Sequence, residues 1–186
     1  TELGIQCIVV HPAETPPSAK EKVHKSDPVD SRKLARELEN GSLKAIYVPQ
    51  VASEQLRSLM RLRFRLVQQQ TRTKNRIKGF LRVSGIAIPA VHLTNPRWSG
   101  AFILWFQSVH PASDAGGFTL DNLILQLEQT RLHLSGVLRQ LRREATSKNL
   151  AATVEAINTA PGVAFITTMT LVTEIIDVRR FSRFEH

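Results

Sequence analysis

A chain of 186 residues with 42% apolar content can bury a core and is too apolar for a disordered segment. Its 25 Lys and Arg against 16 Asp and Glu leave a net charge of +9, which points to a polyanionic partner or an acidic surface. One cysteine excludes an internal disulfide framework, the six histidines lack metal-ligand spacing, and no apolar run approaches the ~20 residues that cross a bilayer.

Ile5 to Val10 (Ile-Gln-Cys-Ile-Val-Val) is a β-branched, nearly unbroken apolar run, as in a strand covered on both faces within a parallel sheet. Cys7 reads there as a small buried hydrophobe, a reactive thiol being the other reading. His11-Pro12 ends the run, and Ala13 to Val23, with Pro16-Pro17 and several lysines, reads as a loop. A helix is expected from Asp27 to about Glu39. Asp27 is a good N-cap, Pro28 suits the first helical position, and Asp30 adds favourable charge to the first turn. Val29, Leu34, Ala35 and Leu38 make its buried face, and Asn40-Gly41 supplies a left-handed stop. Lys44 to Val48 reads as a second strand closed by Pro49. Strand, helix and strand form a βαβ unit, too small to stand without further strands.

From Ser53 to about Val83 the period becomes helical, with Ser53 as the cap. Leu56, Leu59, Met60, Phe64, Val67, Ile77, Phe80 and Leu81 recur at three- and four-residue intervals, in two clusters separated by the polar Gln68-Gln69-Gln70-Thr71. Nine basic residues fall here (Arg57, Arg61, Arg63, Arg65, Arg72, Lys74, Arg76, Lys78 and Arg82), and Glu54 alone in this stretch opposes them. Ser84 to Gly117 is broken by Pro89, Pro96 and Pro111. Ala101 to Val109 reads as a short helix whose Phe102, Trp105 and Phe106 are expected in the core, the alternative being a ligand- or base-stacking role. Gly116-Gly117 reads as a turn. Thr119 to about Ser147 is the second long helix, with Leu120, Leu127, Leu134 and Leu141 at heptad spacing. Arg131 interrupts that seam, which suits antiparallel pairing with the first long helix or pairing between chains. Leu150 to Ile157 and Ala164 to Ile176 read as helices around the turn Thr159-Ala160-Pro161-Gly162-Val163.

Three features carry chemistry. On a helix, the three-residue spacing of Asp27 and Asp30 puts both carboxylates on one face, where they can share a divalent cation. The same residues also serve as ordinary helix capping, and a helix N-terminus does not favour a cation. The basic helix repels itself unless an anion lies alongside, so it reads as a nucleic-acid surface making sequence-independent phosphate contacts; the other reading is a solvated face. Asn75 there suits a sugar or base edge, or a packing contact. Helix, Pro-Gly-Val and helix is similar to a helix-hairpin-helix, in which the turn around Gly162 offers backbone N–H groups to a phosphate. Ala164 stands where a second glycine is usual, and a plain helix-helix turn is the other reading.

These pieces stand in a recognisable order. Lys25-Ser26-Asp27 with Asp30 comes first, then Tyr47-Val48-Pro49 and the Arg61 to Ile77 stretch ending Thr73-Lys74-Asn75-Arg76-Ile77. Pro161-Gly162-Val163, Glu174-Ile175 and Arg180-Phe181 follow. Together they resemble the insertion-sequence transposases of the DEDD type, in which a RuvC-like nuclease domain is joined to a coiled coil and a C-terminal transposase domain. The resemblance implies a DNA recombinase that excises and inserts a mobile element, directed by a structured non-coding bridge RNA and working as a homo-oligomer through its long helices. Four acids of an RNase H-like fold hold Mg2+ in that family, and a C-terminal serine attacks the DNA phosphate. Asp27 and Asp30 match the third and fourth acids. The first two and the serine are expected outside the chain, so these 186 residues are expected to be inactive alone. Ser31, where alanine is more usual, departs from the pattern.

The expected fold is therefore mainly α with a small α/β portion. Residues 1–52 are a partial RuvC-like nuclease domain, 53–148 a helical coiled-coil region, and 149–186 the beginning of a transposase domain. Asp27 and Asp30 are the expected catalytic and metal-binding residues. Lys25, Arg61, Arg65, Arg72, Lys74, Asn75, Arg76, Lys78 and Gly162 are expected on nucleic acid. The expected setting is the bacterial cytoplasm, at the nucleoid and away from membranes. The alternatives are a non-catalytic nucleic-acid-binding module and a structural coiled-coil assembly protein.

Overall fold

A computed structural model describes residues 4, 5, 7–11, 27–94 and 98–181, which are mainly helical and group into two units. The smaller draws its described residues from Thr1–Gln50 and Val178–His186. Its helix α1 (Asp27–Glu39) is the one its capping residues predict, with both aspartates in the first turn. Asp27 is already helical, one place inside the N-cap position assigned to it, an ordinary difference at a helix end. The stop is as expected. Gly41 takes φ +67, its N–H bonds the Leu38 carbonyl at 3.1 Å, and the Ser42 N–H bonds the Glu37 carbonyl at 3.1 Å, which is a Schellman closure.

The two strand segments depart from expectation. Among the described residues they form a single isolated antiparallel bridge, Val10 to Ala45, with the Ile46 N–H on the Val9 carbonyl at 2.8 Å. No parallel βαβ unit results, and Cys7, expected to be buried in it, is exposed. Two short extended segments with no further strand beside them gain too few ladder bonds and too little burial to make a sheet. The consequence reaches α1. Val29, Leu34 and Leu38, its expected buried face, are exposed at 40%, 42% and 58%, because the sheet they would cover is not formed by these residues. In the same unit the Arg180 guanidinium lies 4.2 Å over the Tyr47 ring, which brings together two of the motifs that carry the resemblance.

The larger unit, Val51–Asp177, is built on a helical hairpin. Helix α2 (Val51–Val83) begins two residues before Ser53, which lies in its first turn rather than at its cap. The five-residue α3 (Ala90–Thr94) and α4 (Gly100–Gln107) follow, the latter capped by the Ser99 hydroxyl, which accepts the Phe102 N–H. Helix α5 (Asp114–Ala145) starts five residues earlier than expected and runs through Gly116-Gly117, read above as a turn. Ser113 caps it by accepting the Gly116 N–H at 3.2 Å. A Cβ on Gly116 would stand 2.8 Å from the Pro111 side chain, so this glycine serves close packing inside a helix.

Helices α2 and α5 run antiparallel, as the order of their contacts requires. Met60 of α2 shares a cluster with Leu141 and Ala145 of α5, while Ile77 and Leu81 meet Leu120, Ile124 and Leu127. Three of the four heptad leucines, Leu120, Leu127 and Leu141, thus pack within the chain. The first cluster is completed by Val154 of α6 (Ala151–Asn158) and Met169 of α7 (Phe165–Ile175). The second is completed by Phe102, Ile103 and Phe106 of α4, so those aromatics are core, as expected. Between the clusters lies a polar layer. The buried Thr73 hydroxyl donates to Gln126 Oε1 at 3.3 Å, and the buried Thr130 hydroxyl donates to the Gln126 carbonyl at 2.7 Å. A buried hydroxyl is costly unless bonded, so this layer also favours one register between the helices. Among the described residues no helix is long and apolar enough to cross a membrane.

Candidate metal ligands and nucleic-acid interface

Asp27 is exposed and Asp30 half-buried on one face of the first turn of α1. Among the described residues neither carboxylate has a hydrogen-bond or ion-pair partner. Carboxylate oxygens are the donors Mg2+ takes, and a magnesium site commonly has one or two of them, with water and substrate phosphate completing the shell. The pair fits that role as a partial ligand set. Among the described residues there is no group of three or more His, Cys, Asp or Glu that could hold a metal. Lys25 lies outside the described residues.

The basic residues of α2 sort by angle. At 100° per residue, Arg61, Arg65, Arg72 and Arg76 fall within about 60° of each other, on the far side from Leu66, Ile77 and Leu81. All four are exposed, as are Asn75 and Lys78. Among the described residues Arg65, Arg72, Arg76, Lys78 and Arg82 have no ion-pair partner. Lys74 differs, standing half-buried on the flank toward α5.

Arg61 is not idle. Its Nε and Nη2 donate to the two carboxylate oxygens of Glu174 at 2.9 and 2.8 Å, a bidentate pair. One turn earlier, Arg57 donates to the Thr173 and Glu174 carbonyls at 3.1 and 3.3 Å and pairs with Glu54 at 2.8 Å. Those carbonyls lie in the last turn of α7, where backbone acceptors are left over and a cation is favoured. Glu174 is an opposing acid that reading α2 alone missed. It lies 113 residues from Arg61, and its only sequence signal was its place in the Glu174-Ile175 motif. Among the described residues the charge without an acid partner therefore belongs to the part of α2 from Arg63 onward.

The Arg61 hydrogen bonds hold the Glu174 carboxyl below the usual carboxylate range; partial burial pushes the other way, and the charges of Arg61 and Arg57 add to the lowering. A carboxyl more acidic when folded stabilises the fold above its unfolded pKa of ~4.3, and that stabilisation is lost as pH falls through the folded value. Glu174→Gln is therefore expected to cost a small amount of stability at pH 7, of the size of an exposed pair. Thermal melts of the two proteins should converge in acid; a difference that persists below pH 3 would assign the effect to something other than charge.

Gly162 stands at the α6–α7 turn with φ +80, a left-handed position that suits glycine, and the Val163 N–H bonds the Ala160 carbonyl at 3.2 Å. The turn is the tight one expected. The structure therefore places the acids of α1 in one unit, and the basic face of α2 and the Gly162 turn in the other.

Residues 1–85 match the profile of the DEDD transposases of the IS110 type. A Sinorhizobium fredii protein that carries the name of a transposase, y4qE, is 27% identical over 179 residues, which is 96% of this chain. The chain spans 41% of that relative's length. No solved structure matches it significantly. With the paired aspartates at the head of α1 and the arginine-rich opening of α2 both inside the matched stretch, residues 1–85 are similar to the IS110-type DEDD transposases.

Proposed function

We propose that this chain is part of a DNA recombinase that moves an insertion sequence, with the exposed face of α2 lying along a polynucleotide and Asp27 and Asp30 among the magnesium ligands. The observation that carries the reading is the row Arg65, Arg72 and Arg76, exposed and without a carboxylate partner among the described residues. Like charges on one helix face repel, and phosphate oxygens relieve that repulsion while releasing condensed counterions. These donors bind DNA and RNA backbones alike, so the guide RNA that the resemblance implies fits the same face. Asp27 and Asp30 would hold Mg2+ through carboxylate oxygens; when bound, the ion supplies positive charge to a phosphate under attack. The reading assigns the attacking serine and the remaining acids to other parts of the whole protein. The 186 residues alone are then expected to bind polynucleotide without cleaving it. A structural assembly role is less well supported, because Leu120, Leu127 and Leu141 are buried against α2 of the same chain.

Titrating a labelled duplex and a labelled single strand against salt tests this. Neutralising about four phosphates predicts a roughly 10²-fold fall in affinity between 50 and 200 mM salt, and Arg72→Ala and Arg76→Ala should each lower the slope by about 1. Failure to bind either polymer at low salt rejects the reading.

A further inference from the structure

We propose that Lys74 and Lys78 of α2 and Arg131 of α5 form a phosphodiester-binding site on the flank of the helical hairpin beside Trp98, in addition to the outer face of α2. This rests on the reading of α2 as a nucleic-acid surface and adds a site that faces sideways, with a cation from the second long helix. Arg131 occupies an unfavourable place. In the apolar row Leu120, Ile124, Leu127, Arg131, Leu134, Leu138 and Leu141 it is the one charged residue. It remains half-buried and turns one guanidinium nitrogen to the Trp98 carbonyl at 2.5 Å. Lys74 comes to the same spot from α2. Its ammonium stands 5.8 Å over the Trp98 ring and donates to Gln70 Oε1 at 3.3 Å.

Burial pushes the Lys74 ammonium below the usual lysine range, and Arg131 and Lys78 add to the lowering, so both lie close enough to act on its charge. Among the described residues no carboxylate is within ion-pair distance of any of the three. A fold that gathers three cations around a half-buried point with no acid carries a standing repulsion, which an anion with several oxygens relieves. Each cation has donors to spare, since a guanidinium has five N–H groups and an ammonium three. Lys78 is exposed and lies on the same helix as Arg72 and Arg76, so a backbone following α2 can reach the flank without leaving the basic surface.

The test uses this chain, a labelled single strand, a labelled duplex and inorganic phosphate. Arg131→Gln and Lys78→Gln should each weaken polynucleotide binding roughly tenfold or more, the effect of one charge-assisted contact, and lower the salt slope by about 1. Lys78→Gln alters an exposed residue and keeps the test valid if Arg131→Gln disturbs the fold. Saturation with the strand should return the Lys74 titration, followed through its side-chain Cε resonance, toward the ordinary lysine value. Wild-type affinity and slope in Lys78→Gln and in folded Arg131→Gln, with Arg72→Ala still weakened, would overturn this site and leave the α2 reading standing. No binding by the unaltered chain would overturn both. A Lys74 response to inorganic phosphate but not to either polymer would overturn the polynucleotide assignment of the site.

Discussion

If Asp27 holds Mg2+ as proposed, Asp27→Ala in the whole protein is expected to lower DNA strand cleavage about 10³-fold and to leave polynucleotide binding unchanged. A lost metal ligand forfeits several kcal/mol of charge stabilisation at the phosphate, and each 1.36 kcal/mol is a factor of ten in rate. The competing reading, helix capping, predicts a different pair of results: about 1 kcal/mol of lost helix stability and no loss of chemistry. Asp27→Ser separates the two, because serine caps as well as aspartate and is a poor magnesium ligand. If the serine variant cleaves at the wild-type rate, the Asp27 carboxylate is not a metal ligand. If it fails as the alanine variant does while melting normally, the carboxylate itself is needed. The exposure of Asp27 and its lack of a partner among the described residues make a folding defect a poor explanation for such a loss.

Phe106→Ala is expected to destabilise the larger unit by roughly 3–5 kcal/mol, the usual cost of emptying an aromatic site in a packed core. Phe106 is fully buried, with ring centroids 4.4 Å from Phe102, 5.1 Å from Trp105 and 5.3 Å from Trp98. Phe118→Ala removes the same ring from a position 73% exposed and should shift stability by no more than about 0.5 kcal/mol. Urea midpoints of the two variants give the comparison, and equal shifts would contradict the packing described. The aromatic cluster also bears on the proposed flank site. Trp98 stacks on Phe106 and lends its carbonyl to Arg131, so a loosened core should weaken binding there before it weakens binding at Arg72 and Arg76.

The helices were readable from sequence because their signals are local. The three- and four-residue recurrence of Leu56, Leu59, Met60, Ile77 and Leu81 is enough to place α2, and the heptad leucines place α5. Gly116-Gly117 misled because glycine pairs favour turns in isolation. Here the Ser113 cap and the approach of Pro111 make a helical glycine the residue that fits. The strand segments misled for the opposite reason. Their apolar runs suit a sheet, but sheet formation depends on neighbours that no local pattern supplies.

For the candidate site the division is similar. The three-residue spacing of Asp27 and Asp30 and the crowding of arginine along α2 are written in consecutive residues, so the chain alone places both acids on one helical turn and concentrates its charge on one helix. Which of those arginines remain unopposed is a matter of folding. Glu174 takes up Arg61 across 113 residues, and Arg131 reaches the Trp98 carbonyl across 33, contacts that exist once α5 and α7 have packed on α2. Periodicity reports which face of a helix is apolar. It says nothing about which distant carboxylate or carbonyl will stand opposite a given charge, because ion pairing acts through space and is set by packing rather than by position along the chain.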